Sequence, residues 1–303
     1  MDGLFNVLKP PGMTSHDVVN HFRRLSGMKK VGHTGTLDPG AAGVLLICCG
    51  RATRLIEYLD HDKSYRAEIT FGASSTTGDS FGELQEREIP AGFSKELLES
   101  VLPSFTGLIS QVPPMTSAVR HQGKKLYELA RQGKEVPRRP RTVTIHQLEM
   151  AGWGNGPGGP KAILDVRCSA GTYIRTLCQD IGDSLGCGAY MSFLLRTAAS
   201  GYSLDSALTL EELAELALRG ELAGAAVGLS RVLSFLPPVE VAAGAAKPVG
   251  SGATLHPPGV RRMPGEIGQG DLVTLMAGDT MLAVARTIIG EDGRVSFKPE
   301  KVL

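Results

Sequence analysis

The sequence predicts an α+β protein with two domains. Before residue 236, strand-like runs at Tyr65–Phe71, Thr142–Met150 and Ala162–Cys168 alternate with helical patterns. After it, short apolar pieces are separated by Gly-Asp and Asp-Gly turns, a pattern typical of a small β-barrel or sandwich. The length of 303 residues also fits two domains. We place the boundary in the segment Leu236–Pro248, whose prolines, alanines and glycines are typical of a linker.

Helix starts in the larger domain are marked by side chains that can accept a hydrogen bond from a free backbone N–H group. Ser15 and Ser94 each precede a helical pattern. Thr209 opens a Thr-Leu-Glu-Glu sequence with the spacing of a capping box. We therefore predict helices that begin directly after these three residues.

The composition excludes several classes of protein. With 42% hydrophobic and 21% charged residues, the chain can bury a core and is not disordered. No window approaches the roughly 18 apolar residues that span a bilayer, and Met1–Val7 lacks the basic and apolar regions of a secretory signal. Five cysteines, with Cys48 and Cys49 adjacent in an apolar run, suit reduced and buried thiols. We therefore predict a cytoplasmic protein with no membrane partner.

Charge is concentrated locally, although the net charge of the chain is only +1. Residues 120–141 carry eight basic and two acidic side chains, and Pro137 and Pro140 favour a projecting loop. Such a segment suits binding to RNA phosphates, and it equally suits a solvated surface. Charge alone leaves both interpretations open.

The most unusual stretch is Gly32–Gly43, where four glycines and a proline impose an irregular backbone ahead of the apolar strand Val44–Ile47. Its glycines allow a ligand or another segment to approach closely. Because Pro39 favours an extended conformation for Asp38, this carboxylate lies on a stiff loop at a sheet edge. An aspartate in that position suits a nucleophile or a general base, and a turn aspartate that caps local N–H groups has the same signature.

A carboxylate nucleophile has to be ionised, which calls for a cation nearby. Arg175 is the candidate, because it lies on the first turn of the predicted helix Ile174–Ser184, an unusual place for a surface cation. A surface arginine extended along that helix is the alternative interpretation.

Two further patterns carry no function. Gly154–Gly159 fits GxGxxG, but its proline-containing surroundings and the lack of a following helix predict a hairpin loop between Trp153 and Ala162. The last three cysteines are nine or ten residues apart and have no nearby histidine pair, so we predict no metal site.

Five blocks of sequence lie in order along the chain: Asn6–Ser15, Gly32–Pro39, Lys63–Arg66, Gln111–Ala118 and Cys168–Thr176. Together they resemble the bacterial TruB-type tRNA pseudouridine synthases, and the Gly-His-Thr-Gly-Thr-Leu-Asp-Pro block is highly specific. The resemblance implies the pseudouridine synthase fold over residues 1–236, a mixed and mostly antiparallel sheet flanked by helices, and a small β-rich PUA-like domain over residues 237–303. It implies isomerisation of uridine 55 in the TΨC arm of tRNA to pseudouridine, by base flipping and without a cofactor.

The resemblance also implies roles for individual residues. Asp38 is the catalytic nucleophile, Tyr65 stacks on the target base, and Arg175 pairs with the catalytic carboxylate. The other residues carried over to the substrate site are His33, Tyr173, Leu195 and Lys9, the last with a structural role. The order of steps stays open between attack of Asp38 on C1′, attack on C6 of the base, and a glycal route.

In the family that this chain resembles, the segment after the Pro-Pro-Met-Thr-Ser-Ala block forms a mobile insertion that grips the T-loop. We therefore interpret Gln111–Arg141 as an RNA clamp, with tRNA as the partner and no protein partner required. The side chains expected to bind phosphates are Lys124, Lys125, Arg138, Arg139 and Arg141.

Two other functions are compatible with these residues. One is a tRNA-folding chaperone that uses the same cleft without chemistry. The other is related chemistry on a uridine of another RNA, or N-glycoside hydrolysis, which would leave free uracil and an abasic ribose.

Overall fold

Eighteen strands and seven helices make up the chain, and the computed structural model describes all of residues 1–303. In chain order the strands are β1 (Gly3–Lys9), β2 (Val31–His33), β3 (Ala42–Cys49), β4 (Lys63–Phe71), β5 (Ala73–Ser75), β6 (Leu84–Glu86), β7 (Gly107–Gln111), β8 (Arg120–His121), β9 (Lys124–Lys125), β10 (Arg141–Gly156), β11 (Gly159–Cys168), β12 (Ala189–Ala199), β13 (Tyr202–Ser203), β14 (Pro238–Val241), β15 (Val260–Arg262), β16 (Leu272–Ala277), β17 (Thr280–Ile289) and β18 (Val295–Val302). The helices are α1 (Ser15–Ser26), α2 (Lys95–Val101), α3 (Leu126–Ala130), α4 (Ile174–Ser184), α5 (Leu210–Leu218), α6 (Leu229–Val232) and α7 (Ala243–Gly250). The longest helix, α1, has 12 residues, so none could cross a membrane.

Nine strands form the larger sheet, in the order β1, β3, β12, β4, β11, β10, β7, with β2 added to β3 and β13 added to β12. Neighbouring strands run antiparallel except β12 and β3, which are parallel where Leu195 faces Ala42 and Arg196 faces Gly43. The sheet is therefore mixed and mostly antiparallel, and the predicted fold class is confirmed.

β3 is buried along its whole length because both of its faces are covered. Leu45 and Ile47 pack with apolar side chains of α1 and α5, and Val44 and Leu46 pack on the opposite side, against α6 and the C-terminal sheet. Strands covered on both faces have continuous apolar runs in place of alternation. This explains the sequence of β3, and it gives the loop that precedes β3 a rigid base.

β4 has the alternating pattern of a strand with one exposed face. Arg66 and Glu68 point outward, where they pair with Asp165 at 2.7 Å and Lys161 at 2.8 Å on β11. The other face carries buried side chains that pack with those of α4; they are Tyr65, Ala67, Ile69 and Phe71. The face on which each residue of β4 lies therefore determines whether it can reach a site under α4.

The GxGxxG segment is the end of a long hairpin, as predicted. β10 and β11 stay paired as far as Gly156 and Gly159, so the turn itself is only Pro157-Gly158. Trp153 on this hairpin packs against Phe93, with ring centroids 5.6 Å apart.

The predicted start of α1 is corrected by one residue. Thr14, not Ser15, is the N-cap: its hydroxyl accepts from the N–H of Asp17, whose carboxylate accepts from the N–H of Thr14. Ser15 lies inside the helix, where its buried hydroxyl accepts from the N–H of Leu37 and donates to the Leu37 carbonyl. The predicted caps Ser94 and Thr209 are confirmed.

The segment Leu236–Pro248, in which we place the domain boundary, consists mostly of regular structure. Its first part is β14, which lies inside the second sheet, in the order β15, β14, β16, β17, β18. Pro238 is the first residue of this strand, a position that tolerates a missing N–H group. The alanines that suggested a linker form α7, because alanine has the highest helix propensity.

An apolar cluster joins the two sheets. Met281 and Val284 of β17 are buried with Leu4 of β1 and with Val232 and Leu233 near α6. At the edge of this cluster the Arg54 guanidinium donates to the Val302 carbonyl at 2.7 Å. Lys301 forms an ion pair with Glu57. The C-terminal sheet is therefore packed directly onto the larger one.

This packing predicts that both parts unfold together. Met281→Ala should lower the free energy of unfolding by about 2–5 kcal/mol, because it leaves a cavity in the shared cluster. The only tryptophan, Trp153, lies in the larger domain, so its fluorescence during urea unfolding should report the loss. Met263→Ala is the control, since this side chain is 46% exposed. A Trp153 transition that stays in place in the Met281 variant would contradict the prediction.

Candidate active site

Arg196 of β12 holds the start of the loop between β2 and β3. Its side chain is buried, and it donates to the carbonyls of Gly35 at 3.2 Å, Thr36 at 3.4 Å and Val44 at 2.6 Å. Gly43 allows β3 and β12 to pair closely at this point, because its φ is +115° and a Cβ there would lie 2.2 Å from the Arg196 backbone carbonyl oxygen. The space left by this glycine is thus filled by the chain itself.

Lys9 holds the other end of the same loop. It is fully buried, and its Nζ donates to the carbonyls of Pro10 at 2.8 Å, Met13 at 2.6 Å and Pro39 at 3.2 Å. Burial lowers the pKa of Lys9 to about 8. Because its ammonium is enclosed by backbone carbonyls, the structure gives Lys9 the structural role that the resemblance implies.

Asp38 lies between these anchors and pairs with Arg175 of α4. The Arg175 Nε is 3.1 Å from Oδ2 of Asp38, and Nη2 is 3.4 Å from Oδ1, so the guanidinium faces both carboxylate oxygens. The Arg175 side chain is 6% exposed, whereas that of Asp38 is 35% exposed. The cation is therefore enclosed and the carboxylate remains accessible from solution.

A second carboxylate shares this arginine. Asp79, in the turn between β5 and β6, has its Oδ2 3.5 Å from Nη1 of Arg175. The same guanidinium also donates to the carbonyl of Thr77 and to the hydroxyl and carbonyl of Thr116. These contacts leave Arg175 a single orientation in which to face Asp38.

The pKa of Asp38 results from opposing effects. Burial raises it above the ordinary 3.8, the Arg175 guanidinium lowers it, the Asp79 carboxylate raises it again, and Lys9 lowers it. The net direction is upward. A raised pKa makes the carboxylate more basic than an exposed aspartate.

Tyr65 lies on β4 directly across from Arg196 on β12, on the same face of the sheet. Its ring is 8% exposed and packs in the cluster that contains Leu37 of the loop. Burial raises the pKa of Tyr65 to about 12, against the lowering effect of the Arg196 guanidinium beside its hydroxyl. At neutral pH the hydroxyl is therefore protonated, so Tyr65 is a neutral apolar surface and hydrogen-bond donor.

Leu195, which is predicted to contact the target base, lies one residue away from the buried face of β12. In the register of β12 with β4, Leu195 faces Arg66 on the exposed side of the sheet. Leu194 faces Ala67 and lies in the same buried cluster as Tyr65. Because side chains alternate along a strand, a shift of one residue moves the contact to the opposite face.

His33 and Tyr173 are both half-buried beside the residues described above. His33 ends β2, and burial, assisted by the charge of Arg196, lowers its pKa, so the imidazole is neutral at pH 7. Its Nδ1 is buried without a hydrogen-bond partner. Tyr173 is the N-cap residue of α4, and the Gln111 side-chain amide accepts from its N–H at 3.0 Å and donates to its carbonyl at 3.3 Å.

The basic segment forms a short hairpin, β8–β9, followed by α3 and an extended stretch. Four of its arginines, Arg120, Arg138, Arg139 and Arg141, line a concavity of about 460 Å³. Lys124, Arg139 and Arg141 are exposed. Two other cations predicted to bind phosphates form hydrogen bonds within the chain. Arg138 donates to Glu135 and to the Pro113 carbonyl, and Lys125 donates to the Tyr127 hydroxyl.

Comparison with known proteins identifies the family. The family model described as TruB family pseudouridylate synthase (N terminal domain) matches residues 23–174 of this chain. The tRNA pseudouridylate synthase B C-terminal domain matches residues 175–242, and the PUA domain matches residues 237–291. The chain belongs to the TruB family.

Relatives of this TruB-family chain match over its whole length. It is 50% identical to the tRNA pseudouridine synthase B of Pelotomaculum thermopropionicum, over 100% of this chain and 95% of that protein. It is 47% identical to the protein of the same name from Moorella thermoacetica, over 99% of each. Among solved structures, it resembles a chain of a Cbf5-Nop10-Gar1 complex, with a TM-score of 0.75 and 29% identity, over 99% of this chain and 84% of that one.

A second solved structure, of an H/ACA RNP bound to a substrate RNA containing 2′-deoxyuridine, also gives a TM-score of 0.75. It is 26% identical to this chain and covers 99% of it, and the match spans 84% of that chain. This neighbour extends the likeness of the TruB-family fold to a complex that contains RNA.

The structure brings together Asp38, Arg175 and Tyr65 from separate parts of the TruB-family chain, and it adds residues that the sequence analysis missed. For Arg196, the sequence contains one sign of a special role: an arginine directly follows the apolar run Phe193–Leu195 within a strand. Asp79 gives none, because only the fold brings its turn against α4. The structure holds no group of three His, Cys, Asp or Glu side chains arranged to bind a metal ion.

The raised pKa of Asp38 predicts how the rate of pseudouridine formation depends on pH. If the carboxylate form reacts, kcat/KM should fall as the pH is lowered through that pKa, with a midpoint above the ordinary 3.8 of an aspartate. Asp79→Asn removes a charge that raises this pKa, so the midpoint should move to lower pH. Single-turnover rates from pH 4 to 8 measure this midpoint in wild type and in the Asp79 variant. Asp292→Asn is the control. A midpoint that rises in the Asp79 variant would exclude this assignment.

The contacts of Arg196 predict that lysine cannot replace it. Arg196→Lys keeps a positive charge but cannot reproduce the planar set of donors that reaches three carbonyls. We expect unfolding free energy to fall by about 1–3 kcal/mol and the single-turnover rate to fall about 10- to 100-fold, because the Asp38 loop is less well positioned. Arg66→Lys, in an exposed ion pair, is the matched control. Equal effects of the two substitutions would refute the anchoring role.

Proposed function

We propose that this chain isomerises uridine 55 in the TΨC arm of tRNA to pseudouridine. The observation that carries the proposal is the Asp38–Arg175 pair on an anchored loop, in a TruB-family chain. The relatives named tRNA pseudouridine synthase B support tRNA as the substrate, and their similarity extends over the whole length of this chain. The position within the tRNA rests on the motif resemblance.

Isomerisation moves the ribose from one atom of the base to another. The bond between N1 and C1′ breaks, the uracil rotates, and a bond forms between C5 and C1′. The hydrogen on C5 leaves as a proton, and N1 takes up a proton. The atoms of the nucleoside are conserved and no oxidation occurs. The enzyme therefore has to supply a reactive carboxylate and a closed space that retains the detached uracil.

Asp38 supplies the carboxylate. The Arg175 guanidinium favours its ionised form and orients it, and its exposed fraction leaves an oxygen accessible to a nucleotide. Attack on C1′ or on C6 of the base would use this oxygen as the nucleophile. In a glycal route the same carboxylate would instead take the proton from C2′ as the bond between N1 and C1′ breaks. Arg175 acts through Asp38 in each case.

The uridine has to leave its stack before it can reach Asp38, which costs a few kcal/mol. The neutral ring of Tyr65 is proposed to stack on the extruded uracil, with the apolar side chain of Leu194 in the same cluster. Because the ring is 8% exposed in the free protein, the uracil would have to displace neighbouring side chains to reach it. His33 and Tyr173 are proposed to line the same pocket.

The basic segment is proposed to bind the RNA backbone. Lys124, Arg139 and Arg141 are exposed, so their charges are free to contact phosphates. Arg138 and Lys125 would first have to exchange their internal hydrogen bonds for phosphate contacts. Thr116, at the base of this segment, contacts Arg175, so RNA bound there lies close to the reactive carboxylate.

The test is release of tritium from C5-labelled uridine in an unmodified T-arm stem-loop. Wild type should release tritium while the base stays attached to the ribose. Asp38→Asn should lower the rate by about 10³-fold or more while RNA affinity changes little, because the amide is a poor nucleophile. Asp165→Asn, an exposed aspartate on β11, is the control and should keep the wild-type rate.

The other outcomes separate the alternatives. Free uracil and an abasic ribose would indicate hydrolysis in place of isomerisation. Tight binding without any tritium release by wild type, together with faster tRNA folding, would indicate a chaperone.

A further inference from the structure

Phe81 is an exposed aromatic side chain in the turn between β5 and β6. It is 77% exposed, against 56% for Phe235 and 44% for Phe193, and it belongs to none of the apolar clusters. Hydrogen bonds of Asp79 hold the turn: Oδ1 accepts from the N–H of Phe81 at 3.1 Å and from the hydroxyl of Thr77 at 2.6 Å. The turn therefore does not need the ring for its structure.

The ring lies against the loop that carries Asp38. A Cβ at Gly40 would lie 2.2 Å from Cε2 and 2.6 Å from Cζ of Phe81, so the edge of the ring rests on this glycine. Gly40 follows Asp38 by two residues, which limits the distance between their Cα atoms to about 7.6 Å. Asp79 also contacts Arg175, so one carboxylate links the turn of Phe81 to the catalytic pair.

An RNA that delivers a base to Asp38 would pass near this ring, because the ring rests on the loop that carries Asp38. When a base leaves its stack, each flanking base loses a stacking partner on one side. An aromatic side chain can restore that contact without regard to base identity, because every base has a π-face.

We propose that Phe81 is a stacking surface for the nucleobase next to the target uridine. The inference rests on the proposed function, since it requires a base to be extruded towards Asp38. It assigns Phe81 a role in substrate binding, outside the chemical step.

Substitution of Phe81 tests the proposal. Phe81→Ala should weaken binding of the T-arm stem-loop by about 5- to 100-fold, the range found for loss of one base–aromatic stack. Phe81→Tyr should bind as wild type does, whereas Phe81→Leu, which is apolar but not aromatic, should bind nearly as weakly as Phe81→Ala. The single-turnover rate at saturating RNA should stay within a few-fold of wild type. Phe235→Ala is the matched control and should leave affinity unchanged.

Fluorescence gives a readout that a purely structural role would not change. A stem-loop with 2-aminopurine next to the uridine is bound to the Asp38→Asn protein, which cannot turn it over. Stacking on Phe81 should quench the fluorescence of 2-aminopurine. In the double variant that carries both Asp38→Asn and Phe81→Ala, the emission should be restored. Equal emission from both proteins, or equal affinity of the leucine and tyrosine variants, would overturn the proposal.

The two proposals fail in different ways. If wild type forms no pseudouridine in this stem-loop, the proposed function fails whatever Phe81 does. If wild type forms it and Phe81→Ala binds within twofold of wild type, only the role of Phe81 is lost.

Discussion

The architecture of the site depends on two buried cations whose partners are backbone carbonyls. Lys9 and Arg196 hold the loop around Asp38 from its two ends, and neither has a carboxylate close enough to form an ion pair with it. A buried charge is costly unless polar groups surround it, so these carbonyls cannot turn away without a large penalty. The conformation of the loop is therefore set by the solvation of the two cations as much as by its own sequence.

This arrangement couples position to reactivity. Lys9 lowers the pKa of Asp38 while it fixes the carbonyl of Pro39, the residue that follows the carboxylate. Arg196 binds the other end of the loop and also lies beside Tyr65. The groups that hold the backbone thus set the electrostatic environment of the side chains that face the substrate. Arg175 completes the set from α4, where contacts with Thr116 and Asp79 restrict its orientation.

The sequence predicted features that depend on local patterns and missed those that depend on the fold. The α+β class, the hairpin at Gly154–Gly159 and the caps at Ser94 and Thr209 followed from periodicity and turn chemistry. The alanine-rich segment after Leu236 was ambiguous, because the same residues suit a linker and a short helix, and they form α7. The sequence also could not show that Leu195 lies on the outer face of β12, since a run of apolar residues does not reveal which of them faces inward.

Side chains from distant parts of the chain were harder still to predict. Asp79 is an ordinary turn aspartate in the sequence, and only its approach to Arg175 makes it part of the site. Arg196 is an ordinary strand residue until β12 pairs in parallel with β3 and brings it under the loop. The roles of Asp38, Tyr65 and Arg175 came from resemblance to a family, and the structure supplies the distances that connect them.

The apolar cluster between the two sheets fixes the position of the C-terminal domain relative to the larger domain. Because β17 is packed onto β1 and α6, the PUA domain is held at a constant distance from the reactive carboxylate. If RNA contacts both this domain and the proposed site around Asp38, the constant separation would favour a substrate that touches both at once, since the second contact would then form at high effective concentration. An RNA with the right nucleotides but a different length between its two contact points would engage only one surface. Such selection by overall dimensions would need no base to be read, and it would follow from the packing of the apolar cluster between the two sheets.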